Sequence, residues 1–241
     1  MTTLVISDIH NKIHWIEPAL LVLKEKYDYD EVVFLGDYFD NFHDNHWVVM
    51  ETARWLKESL THSNRIHLLG NHDMPYRFPN NDSLGCPGWS PLKSKSVNSV
   101  MLLSDWEKTI PAYASNGWLF SHAGFSPQLC THPVKGFLPA DELVSSAVKG
   151  IELLKANFPH PLFLPGSRMG EPVMGGITWM DWDDEAEIYP GVKQLVGHTP
   201  DNCVRVKHSP EGEMHCMDTH NKHLCVITNG QLEIIKNEYL T

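Results

Sequence analysis

The sequence predicts an α/β fold that opens with parallel βαβ units and closes in antiparallel pairs, and two observations carry that reading. In the first third, three short apolar runs each lead straight into a cluster of Gly, Asp, Asn or His, with helical periodicity between them. Further on, Asn116-Gly117 and Asn229-Gly230 each separate two strand-like runs, the signature of a two-residue hairpin.

Taken in order, Thr3 to Ile6 leads into Asp8-Ile9-His10. Ile16, Ala19, Leu20 and Leu23 then share one helical face. Val32 to Leu35 leads into Gly36-Asp37, and Val49, Ala53, Leu56 and Leu60 mark a second helix with Asp44-Asn45 as its N-cap. Ile66 to Leu69 leads into Gly70-Asn71-His72-Asp73. A parallel sheet gathers its ligands beyond the carboxyl ends of its strands, where all three polar clusters fall.

From Pro75 to Ser99 the chain is rich in Pro, Gly, Ser and Asn. It reads as a long surface loop, either a solvated excursion or a lid or specificity insertion. The hairpin of Ala112 to Ser115 with Trp118 to Ser121 delivers His122 at its end. Val144, Ala147, Val148, Ile151 and Leu154 mark a helix between Pro139 and Pro159, and Pro161 to Gly176 is again loop-like. Gln194 to Val196 enters Gly197-His198-Thr199, and Leu224 to Thr228 pairs with Gln231 to Ile235. With no repeat or low-complexity tract, residues 1–241 are read as one domain.

Composition narrows the function classes. With 42% hydrophobic and 20% charged residues the chain is an ordinary globular protein, not a disordered, collagenous or coiled-coil one. Its apolar runs fall far short of the ~18–20 residues of a membrane span. Only Thr2 and Thr3 separate Met1 from the first apolar run, so no secretory signal is expected. A net charge of −11 without a Lys/Arg cluster disfavours non-specific nucleic-acid binding and anionic membranes, unless bound cations offset it locally. The 5 cysteines include no C-x-x-C pair, which points to a cytoplasmic location rather than a disulfide framework or structural zinc. Cys203, Cys216 and Cys225 read as buried strand residues. The 15 histidines invite a search for metal ligands.

In Asp8-x-His10, residues i and i+2 at a strand end project to one side and can hold a cation from two directions. Gly36-Asp37-x-x-Asp40 adds carboxylates, and Asn71 adds an amide whose oxygen can coordinate while its NH2 donates. Taken singly, each is better read as a polar turn than as a ligand. Their order, completed by His122 and by Gly197-His198, resembles the calcineurin-like metallophosphoesterase superfamily, whose pattern is D-x-H, G-D-x-x-D, G-N-H-(D/E), H and G-H. The match spans Asp8 to His198.

Within that superfamily the chain resembles the branch of Ser/Thr protein phosphatases and symmetrical diadenosine tetraphosphatases in its bacterial and phage forms. Gly197-His198-Thr199-Pro200 is similar to its G-H-T-P, Ile177 to Asp181 to its L-W-x-D segment, and Met217-Asp218-Thr219 to its I-D-T-G ending. The resemblance implies two facing mixed β-sheets flanked by helices, a four-layer sandwich, and a metal-dependent phosphoester hydrolase.

It also implies a dinuclear centre. Asp8, His10 and Asp37 would hold one ion, and Asp37 would bridge to a second held by Asn71, His122 and His198. Such a ligand mixture suits Mn above all, with Fe or Zn as alternatives. Two ions ~3.5–4 Å apart would lower the pKa of a bridging water to about 7 and clamp an in-line displacement at phosphorus. His72 would protonate the leaving oxygen, and Asp40 would hold its other ring nitrogen.

The chain departs from the family where phosphate is gripped. Asn11 stands in place of a glycine, Asn41-Phe42 in place of Arg-Gly, and no arginine lies between Asp181 and His198. Arg77 and Arg168 are the candidate replacements, with Asn41 at the vacated position. The substrate is expected to be a phosphoprotein or, as the alternative, a nucleotide or dinucleoside polyphosphate. A metal-binding protein without turnover is the rival of a different class. His43, Asp44 and His46 could form an accessory metal cluster, although the N-cap reading is preferred. His220 and His223 read as turn residues, and Trp179 and Trp182 as core residues able to stack on a base.

Overall fold

The computed structural model describes residues 1–170 and 172–239. In chain order the first elements are β1 (Thr2–Ile6), α1 (Ile16–Tyr27), β2 (Glu31–Phe34), α2 (His46–Ser59) and β3 (Arg65–His67). Next come α3 (Met74–Arg77), α4 (Pro91–Asn98), α5 (Leu103–Trp106), β4 (Ala112–Ser115), β5 (Trp118–Ser121) and α6 (Pro127–Cys130). The short pair β6 (Thr131–His132) and β7 (Gly136–Phe137) precedes α7 (Ala140–Lys155). The chain ends in β8 (Lys193–Val196), β9 (Arg205–Ser209), β10 (Gly212–Cys216), β11 (His223–Thr228) and β12 (Gln231–Lys236).

These strands form two five-stranded sheets, ordered β12-β11-β1-β2-β3 and β4-β5-β8-β10-β9. In the first, β1, β2 and β3 are parallel, as the alternation with α1 and α2 predicts, and β11 joins β1 antiparallel. In the second, β5-β8 and β8-β10 are parallel while the outer pairs are antiparallel. Both sheets are therefore mixed, as the family resemblance implies, and the parallel β5-β8 and β8-β10 pairs correct the reading of an antiparallel second half. The C-terminal hairpin returns to the edge of the N-terminal sheet.

Strand alternation explains how the sheets stack. On β1 and β2, Leu4, Ile6, Val32 and Phe34 pack with the helices, whereas Val5 and Val33 point the other way. The latter meet Trp118, Phe120 and Leu195 of the second sheet, forming an apolar layer between the two. Outside it, α1 buries Ile16, Ala19, Leu20 and Leu23, and α2 buries Val49, Ala53 and Leu56. On the second sheet, α7 lies against β4 and buries Leu143, Ala147, Ile151 and Leu154. The Asn45 side chain caps α2 by accepting from Trp47 N–H at 2.9 Å. Among the described residues no helix is long and apolar enough to cross a membrane.

Three local expectations are corrected. Residues 75–99 are not a plain surface loop: they hold the end of α3, a 3-10 turn at Asp82–Leu84 and α4, which packs against α2. Their anchors, Leu84 and Val97, are too sparse to show helical periodicity, and buried polar Lys93 and Ser94 break the pattern further. Cys203 is exposed and outside the strands, whereas Cys216 and Cys225 are buried within β10 and β11. His220 lies in a turn, while His223 opens β11.

Candidate metal centre

Five strand ends converge on one cleft. The segments after β1, β2 and β3 bring Asp8 and His10, Asp37 and Asp40, and Asn71 and His72, while those after β5 and β8 bring His122 and His198. Two glycines allow this approach. A Cβ on Gly70 would overlap the Asp37 carboxylate, and one on Gly197 would overlap that of Asp8. Asp73 ties the segments together, accepting backbone N–H bonds from Asp37 at 2.8 Å, Tyr38 at 2.9 Å and Gly70 at 2.8 Å. Burial and the Asp37 carboxylate push its pKa up to about 8, against the pull of those donors.

The backbone is strained here. His10, Asp37, Asp40 and His198 have φ of 45°, 53°, 63° and 71°. Asp and His tolerate this left-handed region better than most residues, yet it costs about 1–3 kcal/mol at each position.

Asp37 is the middle of the arrangement. Its Oδ2 lies 3.7 Å from His10 Nε2 on one side and 3.3 Å from His122 Nε2 on the other. Its Oδ1 accepts the His72 N–H at 2.9 Å. Beyond it, Asn71 Oδ1 sits 2.9 Å from both His122 Nε2 and His198 Nδ1. Asp8 Oδ1 accepts the His198 N–H at 2.9 Å and lies 3.9 Å from His122 Nε2.

The donor set fits divalent cations. His10 Nδ1 lies 3.0 Å from the Phe39 carbonyl and His122 Nδ1 lies 2.9 Å from that of Leu35, so in the neutral rings both Nε2 lone pairs face inward. They meet carboxylate and amide oxygens that likewise present lone pairs. Two triads of side chains close enough to hold a metal ion result, His10 with Asp37 and His72, and Asp37 with His122 and His198. Carboxylate, imidazole and amide together suit a borderline transition metal.

With no cation between them, the carboxylates draw positive charge onto the imidazoles instead, the charge that a bound metal would replace. Burial disfavours charge on His122, but the Asp37 and Asp8 carboxylates raise its pKa to about 9. Burial also opposes ionisation of Asp37, yet the imidazoles of His122 and His72 hold it well below the usual carboxylate range. His198 is driven well below its usual value by burial, then by His122 and Arg168, which keeps it neutral. Asp218, unassigned a role by the motifs, lies in the same cleft, and burial beside Asp8 raises it to about 7.

The cleft over this centre has a volume of about 490 Å³, with His10, Asp37, Asn71 and His72 in its wall and Phe42 and Met169 at its rim. His72 Nδ1 faces Asp40 Oδ2 at 3.6 Å. Asn41 lines the cleft, and so does Arg168, whose Nε is 3.4 Å from Asp181 and whose Nη1 is 2.7 Å from His198 Nε2. Arg77 is corrected: it is buried on α3, donating to the Thr109 carbonyl at 3.1 Å and hydroxyl at 2.9 Å, and does not line the cleft. Burial lowers its pKa to about 10.

His43, Asp44 and His46 make no converging group among the described residues; Asp44 instead accepts from Asn11 Nδ2 at 3.0 Å. Trp179 and Trp182 are buried, as expected, and Trp179 also borders the cleft. Sequence reasoning missed Lys93 and Tyr76, which reach Asp40, and Cys86, whose Sγ accepts from Asn71 Nδ2 at 3.2 Å. All three come from the segment read as a loop, where no spacing could announce them.

The calcineurin-like phosphoesterase family model matches residues 1–221. No curated protein matches the sequence. Among solved structures, the fold is similar to a cold-active protein-tyrosine phosphatase of a psychrophilic Shewanella species, at 18% identity and a TM-score of 0.58 over 97% of this chain and 77% of that one. It is also similar to a protein of Pyrococcus horikoshii OT3, at 12% identity and a TM-score of 0.52 over 99% and 88% of the two chains. The family match runs through every one of the strand ends that build the cleft, and the chain belongs to the calcineurin-like phosphoesterases, a family of phosphoester hydrolases.

Proposed function

We propose that the chain is a two-metal phosphatase in which His72 is the general acid. The observation that carries this is the place of Asp37 Oδ2, between His10 Nε2 at 3.7 Å and His122 Nε2 at 3.3 Å, as a bridging carboxylate requires. Asp8, His10 and Asp37 would hold one ion, and Asp37, Asn71, His122 and His198 the other. When bound, two such cations supply Lewis acidity at phosphorus and bring the pKa of water towards neutrality. Mn is the expected metal, with Fe or Zn as alternatives.

His72 then gives its Nε2 proton to the leaving oxygen. Asp40 Oδ2 holds the Nδ1 proton, fixing the tautomer and favouring the charged ring. Arg168 contributes charge to the phosphoryl oxygens and Asn41 an amide. The test is hydrolysis of p-nitrophenyl phosphate by the purified protein in Mn, in chelator and after restoring Mn. Activity that follows the metal supports the proposal, and equal activity in chelator refutes it. A complete metal site without turnover, the silent-protein reading, predicts no hydrolysis under any of these conditions.

A second reading, hydrolysis of a nucleotide or dinucleoside polyphosphate, is favoured by one observation. Among the described residues lining the cleft, Arg168 is the one arginine, so a phosphomonoester dianion lacks the paired guanidinium grip. Comparing phosphopeptides, diadenosine tetraphosphate and phosphodiesters by kcat/KM separates the two.

A further inference from the structure

Lys93 is a buried lysine with no role in the chemistry just described. Its Nζ donates to the Gly88 carbonyl at 2.7 Å and lies 3.3 Å from Asp40 Oδ1. Tyr76 OH donates to that same oxygen at 2.6 Å. Oδ1 is thus held from two sides. Oδ2 has no hydrogen-bond partner and faces His72 Nδ1 at 3.6 Å, itself buried and without one.

One oxygen of the carboxylate is held while the other is left to face His72. A half-turn about the Cβ–Cγ bond only exchanges two equivalent oxygens, whereas any intermediate rotation takes the held oxygen from both the ammonium and the phenol, so the plane of the carboxylate is fixed. A buried lysine is retained only when a partner offsets its desolvation, and Asp40 is the carboxylate within reach. The residues that make the clamp sit on α3 and α4, with Gly88 in the connection between them, while Asp40 follows β2. The segment from Met74 to Asn98 therefore touches the Asp40/His72 pair as well as the cleft wall.

We propose that Lys93, with Tyr76, positions Asp40 so that its free oxygen holds His72 in the geometry of proton donation, making this segment a support of the acid step. The inference rests on the assignment of His72 as general acid. It makes Lys93 a positioning residue: the wall of the cleft does not include it, and its effect passes through Asp40.

The test uses the full-length Mn-loaded protein and a series of aryl phosphates running from dinitrophenyl to unsubstituted phenyl leaving groups. Lys93→Met, which keeps the aliphatic stem, is expected to lower kcat about tenfold or more for phenyl phosphate and less than threefold for the dinitrophenyl ester. Lys93→Arg should recover most of the loss. Tyr76→Phe, which changes no charge, should show the same dependence on leaving group with smaller amplitude, and it carries the test if Lys93→Met does not fold. In a His72→Asn background the Lys93 substitution should have no further effect on the leaving-group dependence. A loss equal for all leaving groups in both variants, or one undiminished in the His72→Asn background, overturns the clamp. The underlying assignment fails separately: His72→Asn alone would then cost good and poor leaving groups equally.

Discussion

His72 Nδ1 and Asp40 Oδ2 face each other at 3.6 Å, both buried and neither with another hydrogen-bond partner. Two unsatisfied polar atoms in so tight a place are complementary, one able to donate and the other to accept. In the proposed mechanism this is the relationship of a general acid to the carboxylate that sets its tautomer. His72→Asn should therefore lower kcat by at least ~10²-fold, the range such catalysis commonly supplies. The loss should be smaller for p-nitrophenyl phosphate than for an alkyl phosphate, measured at unchanged metal content. An equal loss on both would move His72 to phosphate binding.

Arg168 and Arg77 should separate cleanly. Arg168→Ala is expected to reduce kcat/KM about tenfold, consistent with a charge-assisted hydrogen bond of roughly 1.5–3 kcal/mol. Arg77→Ala should leave kcat/KM within about twofold and instead lower the urea midpoint, because its guanidinium satisfies Thr109 inside the protein. Stability loss should be about 1–3 kcal/mol. Steady-state kinetics and urea unfolding on the two variants decide it, and a kinetic defect in Arg77→Ala with normal stability would reverse the assignment.

Asn41→Arg probes the position where the family carries its phosphate-binding arginine. If the pocket is otherwise that of a monoesterase, turnover of a simple monoester should rise. Loss of activity on the best substrate instead would show a cleft shaped around Asn41 and Phe42 for a different phosphate ester, favouring the polyphosphate reading.

His67 gives a pH dependence of stability independent of the metal centre. Burial, then the charge of Arg65, lowers its pKa from 6.5 to about 3, while Ser59 Oγ at 2.9 Å and Tyr38 OH at 3.0 Å satisfy its ring. Below pH 6.5 the unfolded chain takes up a proton that the folded one refuses. The stabilisation is complete above 6.5 and is lost as pH falls towards 3, at up to ~1.4 kcal/mol per pH unit. Urea unfolding of the wild type and of His67→Gln from pH 7 to 4 should give curves that converge as pH falls. Parallel curves would mean that His67 charges in the folded state.

What the sequence reveals follows from how local each signal is. Asp8 with His10, Asp37 with Asp40 and Asn71 with His72 are legible because each pair lies within a few residues of a strand end. The Asn116-Gly117 and Asn229-Gly230 turns are legible because a type I′ turn requires positive φ, observed at 52° and 80° in one and 50° and 81° in the other. The pairing of β11 with β1 is not legible, since strand partners at this separation leave no local pattern. Arg77 misleads because a Pro-rich stretch hides the one turn of helix that directs it to Thr109. Lys93 is silent for the same reason: 53 residues separate it from Asp40, and only the fold joins them.

The measurement that tests the account most directly is the metal content of the protein reconstituted with Mn, set beside that of Asp37→Asn. Asp37 Oδ2 lies against both imidazole groups, so the wild type should hold close to two equivalents of metal. The variant, isosteric but without the bridging charge, should lose at least one of them and all hydrolysis while its circular dichroism stays unchanged. A wild-type protein that binds no metal after reconstitution, or an Asp37→Asn protein that binds and turns over as the wild type does, would contradict the dinuclear centre.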